Sequence, residues 1–562
     1  MSSARIASGI KSEIELTEAE NEVCTLLDEC TRNLRDEHGI TTSCRIAGGW
    51  VRDKLLGKQS NDIDIALTDM MGVTFAEHLS SYISKHKDLD VHKIAKIESN
   101  PGQSKHLETA RTTLCGVELD FVNLRSEEYA ENSRIPTEVA FGTPLQDALR
   151  RDITINALFY NVHDRAVEDH TNKGLDDLKN GIIRTPLEPL ETFRDDPLRV
   201  LRCIRFASRF GFEMVPELRE AARDPGIQEA LSVKISRERV GEEIDKMMKG
   251  PKPLRSIKLI HELSLYSCIF SIPPEIMQIM SAPLSHLDSS LAATSVLHAL
   301  ISTDSTSISA SHLPPLHPTL LHATRDVVGN AARLYLASAL FPYHVITYTD
   351  KKKRQHLAVE AVLQEGLKLG KQNHYLDGIP SLFAAADLLK DPISKIGMPS
   401  ERVVIGSLLR EKVVHNIHTG SHWASSLLFS LVCEIAPLYD VSDNTFNATE
   451  ATIRTEQYND FVSRVEMLGL DKAVDAKHIV NGQEVVQALG GNKAGPWTGI
   501  ILARVMEWQL EHPSGSKVDC IAWLQAEQAA GRIDVDELTA SVVGNKRTQT
   551  SDQNLSVKKV KR

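Results

Sequence analysis

Two aspartates separated by a single residue, Asp62-Ile63-Asp64, stand nine residues beyond the run Gly48-Gly49-Trp50-Val51-Arg52-Asp53. In an extended strand side chains alternate faces, so both carboxylates share one edge while Ile63, Ile65 and Leu67 point to the other. Like charges held that close raise each other's pKa. A cation relieves the cost, and hard oxygen ligands favour Mg²⁺. The chemistry implied is two-metal phosphoryl transfer, with Asp62 and Asp64 as catalytic metal ligands. Gly48 and Gly49 precede the helix-like WVRDKLL, so backbone N–H groups and a positive helix end can meet a phosphate without Cβ obstruction. Arg52, one turn in, is placed to neutralise that phosphate. An isolated Asp-x-Asp more often reads as two solvated carboxylates on an edge strand; the Gly-Gly-x-Val-Arg-Asp lead shifts the balance.

Further clusters follow. In LRRDITINAL (149–158), Arg150 and Arg151 supply cationic forks, and Asp152 and Asn156 lie four residues apart on one predicted helical face. An Asp acceptor beside an Asn amide can hold a ribose 2′-OH, and a helix-start cap by Asp152 is the plainer alternative. The segment Arg194-Asp195-Asp196-Pro197-Leu198-Arg199 predicts a helix start, with carboxylates at the positive end of the dipole. Arg199, Arg202, Arg205 and Arg209 then fall within an arc of about 120°. Leu198, Leu201, Ile204 and Phe206 imply partial burial of the same helix, where unpaired arginines are costly and an anionic partner is required. A salt-bridged surface helix stands as the alternative. Asp120, in VELDFVNLR, is either a third carboxylate of the metal site or a strand residue bonded locally. The polar loop 98–113 carries Lys105, His106 and Arg111 and is a candidate mobile element.

The elements that must position these groups can be read from periodicity. The capping box Thr17-x-x-Glu20 opens an amphipathic helix over 17–37. Short β-like runs (SCRIA, DIDIAL, VELDFVNL, INALFYNV) alternate with helical segments from 43 to 165, an α/β head. Beyond about 175 strand signals fade, and helical periodicity runs through 197–210, 236–249, 252–264, 328–340 and 355–370 to about 510. The Ser/Thr/Pro-rich stretch 302–318 reads as a disordered surface excursion, and 545–562, with six Lys/Arg against one Asp, as a disordered basic tail.

Composition excludes other classes. The chain has 562 residues, a net charge of −11, 42% hydrophobic and 25% charged residues, which suits several globular domains and not wholesale disorder. No membrane-length apolar run or secretory leader is seen. Eight cysteines occur singly, so neither zinc nor a disulfide framework is suggested and a reducing compartment fits. The negative balance argues against indiscriminate coating of nucleic acid, although a local basic face can still hold a phosphate backbone.

GGWVRD…NDIDIAL resembles the signature of the polymerase beta nucleotidyltransferase superfamily, in its branch of class II tRNA nucleotidyltransferases and bacterial poly(A) polymerases. The resemblance continues in order through NPGQSKHLETA, VELDFVNLRSEEY, LRRDITINAL, IRTPLEPLETFRDDPLRVLRCIRFA and KISRERVGEE, covering roughly residues 40–250. A late stretch, 481–513, is similar to the tail of eukaryotic CCA-adding enzymes; there Lys493, Trp497 and glycines 490, 491 and 495 either hold an RNA elbow or form a structural turn. Asp195-Asp196 stands where bacterial members have Glu-Asp.

The resemblance implies a polymerase-beta-like α/β head with flanking helices followed by all-helical neck, body and tail. Its boundaries are expected at 1–40 (helical extension), 41–165 (catalytic head), 166–250 (neck), 251–395 (body), 396–540 (tail) and 541–562 (basic end). It implies template-independent addition of CCA to tRNA from CTP and ATP, with Mg²⁺ on Asp62 and Asp64. Nucleotide contacts are expected from Gly48, Gly49, Arg52, Arg151, Asp152, Asn156, Asp195, Asp196, Arg199, Arg202 and Arg205. Asp196 and Arg199 would act as a protein template: carboxylate accepts from the amino group of C or A, guanidinium donates to their ring acceptors, and U and G invert the pattern. Neither a membrane nor an obligate protein partner is expected. Cytoplasm, nucleus and mitochondrion are all open, with the Lys/Arg end resembling a nuclear import tail. A poly(A) polymerase of the same branch and a catalytically silent RNA-binding relative are the rival readings.

Overall fold

The computed structural model describes residues 9–87, 94–97, 109–129, 136–284, 286–302, 313–325, 329–491, 493–495 and 497–535. Residues 98–108 of the polar loop, 303–312 of the Ser/Thr/Pro stretch and the basic end 545–562 lie outside them. The chain forms two compact units, Met1–Leu291 with Pro342–Gln372, and Ala292–Phe341 with Asn373–Arg562.

The first unit opens with α1 (Glu18–His38), begun by the expected Thr17–Glu20 capping box and ended by Gly39 in the left-handed region. Its apolar stripe, including Val23, Leu26, Leu27, Cys30 and Leu34, is buried, each large side chain contributing about 1.5–3 kcal/mol. The same helix anchors the site-bearing segment. Glu20, at its start, accepts from the Trp50 indole at 3.1 Å and from the Lys54 ammonium at 2.6 Å, which fixes α2 (Gly49–Leu55).

Strands β1 (Cys44–Ala47), β2 (Asp62–Leu67), β3 (Ala95–Ile97), β4 (Thr109–Leu114) and β5 (Val117–Asn123) make most of a seven-stranded sheet. A hairpin, β6 (Arg125–Tyr129) and β7 (Pro136–Phe141), stands apart from it, and β8 (Phe159–Asn161) and β9 (Ala166–Glu168) complete it in the order β3-β4-β5-β2-β1-β8-β9. Within this sheet, among the described residues, the β2–β5 pair is parallel and the others antiparallel, the β2–β5 crossover carrying α3 (Gly72–His86). The residues Ile63, Ile65, Leu119 and Phe121 of β2 and β5 are buried, which leaves the alternate positions, Asp62, Asp64 and Asp120, on the opposite side of these two interior strands.

Helices follow: α4 (Pro144–Leu149), α5 (Gly174–Asn180), α6 (Pro189–Asp195), α7 (Leu198–Phe210), α8 (Pro216–Arg223), α9 (Pro225–Lys234) and α10 (Arg237–Met248). The mixed-sheet head and the helical remainder agree with the expected fold class, and α7, α10, Pro253–Glu262 and Asn330–Ala339 fall where the periodicity put them.

Two local expectations need correction. Asp152 and Asn156 do not share an α-helical face: Thr154–Asn156 is a single 3₁₀ turn. Ile153 is extended there, its N–H donating to Asp152 Oδ1, and the Thr154 amide is taken by the Arg184 carbonyl, so side-chain and long-range bonds replace a helical ladder. Nor is 355–370 helical from its start. Gln355–Leu357 pairs antiparallel with Thr347–Thr349 because Asp350 accepts from the Lys352 and Arg354 amides and closes a hairpin turn.

The second unit is built of helices, including Tyr375–Leu388, Trp423–Ile435, Ala448–Met467, Trp497–Glu511 and Lys517–Ala529. One of its cores gathers Val480, Val485, Trp497, Ile501, Trp508 and Leu524. Trp497 is therefore a core residue, and a Cβ on Gly495 would lie 2.9 Å from its ring. Lys493 is exposed nearby.

Candidate active site

Strand register assembles the first part of the site. The parallel pairing of β2 with β5 sets Asp64 beside Asp120, and Asp62 is two residues back on the same edge. Carboxylate oxygens of Asp62, Asp64 and Asp120 lie within 4.8 Å of one another. Burial and the neighbouring Asp62 charge push the Asp64 carboxyl up to about 6. Asp120 thus lies in the acidic cluster and is also bonded locally, since Arg111, opposite it on β4, donates to both its oxygens at 2.7 and 2.6 Å. The charges of Arg151 and Arg111 do not offset burial and the neighbouring carboxylates at Asp64, and an all-oxygen donor set held so closely fits a divalent cation.

The second part is built around Gly48. It leaves β1 beside Asp64, whose partner across the ladder is Ala47, and turns into α2 with φ +74°. A Cβ there would sit 2.7 Å from Arg151 Nη1, so only glycine lets Arg151 approach. Its amide is engaged by the Leu158 carbonyl at 2.9 Å, and Gly49 is the first residue of α2. Arg52 points inward. Its guanidinium, 4% exposed, donates to Asn156 Oδ1 and to Asp53 at 2.9 Å and lies over the Phe206 and Phe210 rings.

Arg150 and Arg151 both hold Asp147. Burial works to raise that carboxyl, but the two guanidiniums outweigh it and bring it down to about 2. Arg151 also donates to the Asn156 carbonyl at 3.0 Å. Asp152 follows the same logic: burial opposes ionisation, and Arg202, the Asn156 amide and Arg199 override it, to about 2. Its Oδ1 accepts from Ile153 N and Asn156 Nδ2, and its Oδ2 from Arg202 Nε, with Arg202 Nη2 in ion-pair distance of the same oxygen at 2.7 Å. With Oδ1 taken by two donors and Oδ2 by one, a ribose hydroxyl that reaches Asp152 does so at Oδ2, beside Arg202.

On α7 the arginine arc stands as expected, and its anionic partners within the chain are carboxylates from other elements. Arg202 pairs with Asp152 at 2.7 Å, Arg205 with Glu243 of α10 at 2.6 Å, and Arg209 with Asp53 of α2 at 3.5 Å. Arg199 is buried and donates to the Arg150 carbonyl at 2.7 Å. Asp195 is the last residue of α6; Asp196, just beyond it, caps α7 through Leu198 N at 3.1 Å and is gripped by Arg239 at 2.7 Å. Arg239, Glu243 and Asp147 carry no role in the sequence reading. The spacing of Arg239 and Glu243, four apart on one helix, was the available signal, since it turns both toward α7.

Carboxylates on two interior strands beside a Gly-Gly helix start, backed by an arginine helix, are the layout of a nucleotidyltransferase head. The family described as "Poly A polymerase head domain" matches residues 44–184, and "Probable RNA and SrmB- binding site of polymerase A" matches 211–280. The chain is 37% identical to the "CCA tRNA nucleotidyltransferase, mitochondrial" of Saccharomyces cerevisiae, over 91% of this chain and 94% of that one. It is 34% identical to a tRNA nucleotidyltransferase of Schizosaccharomyces pombe, over 93% and 98%. Its fold is like that of the Thermotoga maritima CCA-adding enzyme solved with tRNA (TM-score 0.57, 19% identity, 92% of this chain and 97% of that one). The chain belongs to the CCA tRNA nucleotidyltransferase family.

Proposed function

We propose that the protein adds and repairs the 3′-terminal CCA of tRNA, taking CTP and ATP without a nucleic-acid template and releasing pyrophosphate. The observation that carries this is the convergence of Asp62, Asp64 and Asp120 within 4.8 Å, in a chain whose relatives of nearly equal length are tRNA nucleotidyltransferases. Mg²⁺ on these carboxylates would activate the primer 3′-OH and bear charge on the departing pyrophosphate. The chain's own groups do the selecting. Arg239 and the α7 amide hold Asp196, and the Arg150 carbonyl holds Arg199, so a base meets acceptor and donor already fixed in place. Cytosine and adenine satisfy that pair. Uracil and guanine leave buried groups unpaired, at a cost of about 1–3 kcal/mol for each unsatisfied group. Asp152 and Asn156 are assigned to the ribose, with Arg202 yielding a lone pair of Asp152. Gly48, Gly49, Arg52 and Arg151 are assigned to the phosphate end, and Asp195 and Arg205 support the neck around Asp196.

Extension of a tRNA transcript lacking CCA, resolved to single nucleotides with each NTP alone and combined, tests this. C, C and A followed by a halt is the expected result. Open-ended A addition would favour a poly(A) polymerase, a reading to which the head-domain match gives weight. For location, among the described residues no helix is long and apolar enough to cross a membrane. Two yeast relatives carry a mitochondrial designation, and we assign this chain to the mitochondrion as well as the nucleus and cytosol. Imaging with and without 545–562 tests the nuclear share.

A further inference from the structure

Asp152 and Asn156, the pair assigned to the ribose, are each gripped by a guanidinium from another element. Arg202 of α7 donates through Nε to Asp152 Oδ2 at 2.7 Å, and Arg52 of α2 donates through Nη1 to Asn156 Oδ1. Asn156 Nδ2 in turn donates to Asp152 Oδ1 at 3.0 Å. This relay decides which way the Asn156 amide faces. Arginine only donates and an ionised carboxylate only accepts, so a flipped amide would set N–H against N–H on one side and oxygen against oxygen on the other. Held as it is, the amide has its second Nδ2 hydrogen to offer a sugar oxygen, while Asp152 Oδ2 is the acceptor for a 2′-OH. The sugar reader is therefore as exact as the placement of Arg52 and Arg202.

Both guanidiniums converge on one side chain. The centre of the buried Phe206 ring lies 5.3 Å from the Arg52 guanidinium and 5.8 Å from that of Arg202, with Arg205 nearer at 4.1 Å. The face of an aromatic ring carries negative potential and attracts a cation within about 6 Å, more strongly where water is excluded. Arg52 is buried and Arg205 is tied to Glu243 at 2.6 Å, so ring and cations are confined together. Phe210, one turn further along α7, lies parallel to Phe206 with centres 6.0 Å apart and gives Arg52 a second face at 4.8 Å; its other cations among the described residues are Arg209 and Lys58. Phe206 is thus the ring common to the two arginines behind the sugar reader. A leucine could fill much of its space, but it would leave three like charges without the attraction that draws them to one surface.

We propose that Phe206 is a positioning residue for sugar selection: its ring holds Arg52 and Arg202 where they orient Asn156 and Asp152, so that preference for ribonucleotides over deoxyribonucleotides depends on it. The inference rests on the reading of the chain as a tRNA nucleotidyltransferase with Asp152 and Asn156 at the ribose. It fixes the direction of the effect. A deoxynucleotide has no 2′-OH to lose, so loosening the reader costs the ribonucleotide alone.

The test compares full-length Phe206→Leu, Phe206→Tyr, Phe212→Leu and a variant with a trifluorinated phenylalanine at 206, in the first C addition to tRNA lacking CCA, from CTP and from dCTP. Fluorination keeps the shape and burial of the ring and removes the negative potential of its face. Phe206→Leu and the fluorinated ring should each lower kcat/KM for CTP and leave that for dCTP unchanged, narrowing the ratio about three- to tenfold. Phe206→Tyr should keep the wild-type ratio. Phe212→Leu removes another buried ring from the same region and should lower Tm without narrowing the ratio. The CTP-to-UTP ratio should hold in all four, because Asp196 and Arg199 are held by Arg239 and the Arg150 carbonyl. An unchanged CTP-to-dCTP ratio in the fluorinated variant overturns the inference, and so does a fall in sugar and base discrimination together, the mark of a loosened helix. Wild-type behaviour keeps the two questions apart: an enzyme that extends tRNA and prefers CTP to dCTP while the variants match it loses only the role of Phe206. One that fails to extend tRNA, or takes dCTP as readily as CTP, loses the underlying reading and the inference with it.

Discussion

The carboxylate edge of the interior strands β2 and β5 and the arginine helix handle charge in opposite ways. At the edge, three carboxylates from β2 and β5 crowd together with Arg111 as their cation, and Asp64 is driven up to about 6. Along α7 and the segments around it Asp147, Asp152, Asp196 and Glu243 each have an arginine, and Asp147 and Asp152 are driven down to about 2. One region is left short of positive charge, which a bound cation would supply. The other is closed within the chain, so that a nucleotide bound there would meet groups already oriented. Catalytic power should therefore be lost from the first region without loss of fold, whereas damage to the second should unsettle the fold and the choice of base together.

The largest effect expected falls on the edge. Asp62→Asn or Asp64→Asn should lower C addition by about three orders of magnitude or more in single-turnover extension, with tRNA affinity kept. Retained turnover would separate the carboxylates from the chemistry. The next effect falls on the closed region. Folded-state pKa values near 2 for Asp147 and Asp152, below the ordinary 3.8, mean that their contribution is complete above about pH 4 and is lost as pH falls toward 2. Denaturant titration should show roughly 2 kcal/mol lost for each, and Asp147→Asn should remove its share of that acid-side slope.

Asp152→Ala comes third, because it strands Arg202. A fully buried partner would cost more, but the Arg202 side chain is 37% exposed and water takes up part of its charge, so about 2–3 kcal/mol is expected. Adding Arg202→Ala should recover some of it. Arg239→Ala should act less on stability than on fidelity: with Asp196 released on one side, misincorporation of UTP and GTP should rise several-fold, measured as error products in the extension assay. Unchanged fidelity would show that the α7 cap alone fixes Asp196.

The contrast between the two regions also sorts what was legible in advance. Asp62 and Asp64 share an edge because strand periodicity is local, and the arginine arc is legible for the same reason on α7. Asp120 joins the cluster through the parallel β2–β5 pairing across α3, a contact no local spacing encodes. The requirement that aligned, half-buried arginines find anions was sound physics, but it could not tell a ligand's phosphate from Glu243, 38 residues away on another helix. Nor could spacing show the 3₁₀ turn at Thr154–Asn156, set by the Arg184 carbonyl and Asp177.

The smallest effect is the one that tests the contrast most directly, because Arg111 is the cation that, among the described residues, makes an ion pair with one of these carboxylates. It grips both oxygens of Asp120, yet its side chain is 51% exposed. A pair that open to water is weak, and it competes with any ion that Asp120 would help to hold. Arg111→Gln removes the competitor and leaves three carboxylates facing one another, so the unliganded state worsens while the liganded state keeps all three oxygen donors. Binding of Mn²⁺, followed calorimetrically or by its spin resonance, should tighten about two- to fivefold. Weaker binding would mean that Arg111 orients Asp120 as a ligand, and that the edge, like the arginine helix, is held in order by its own ion pair.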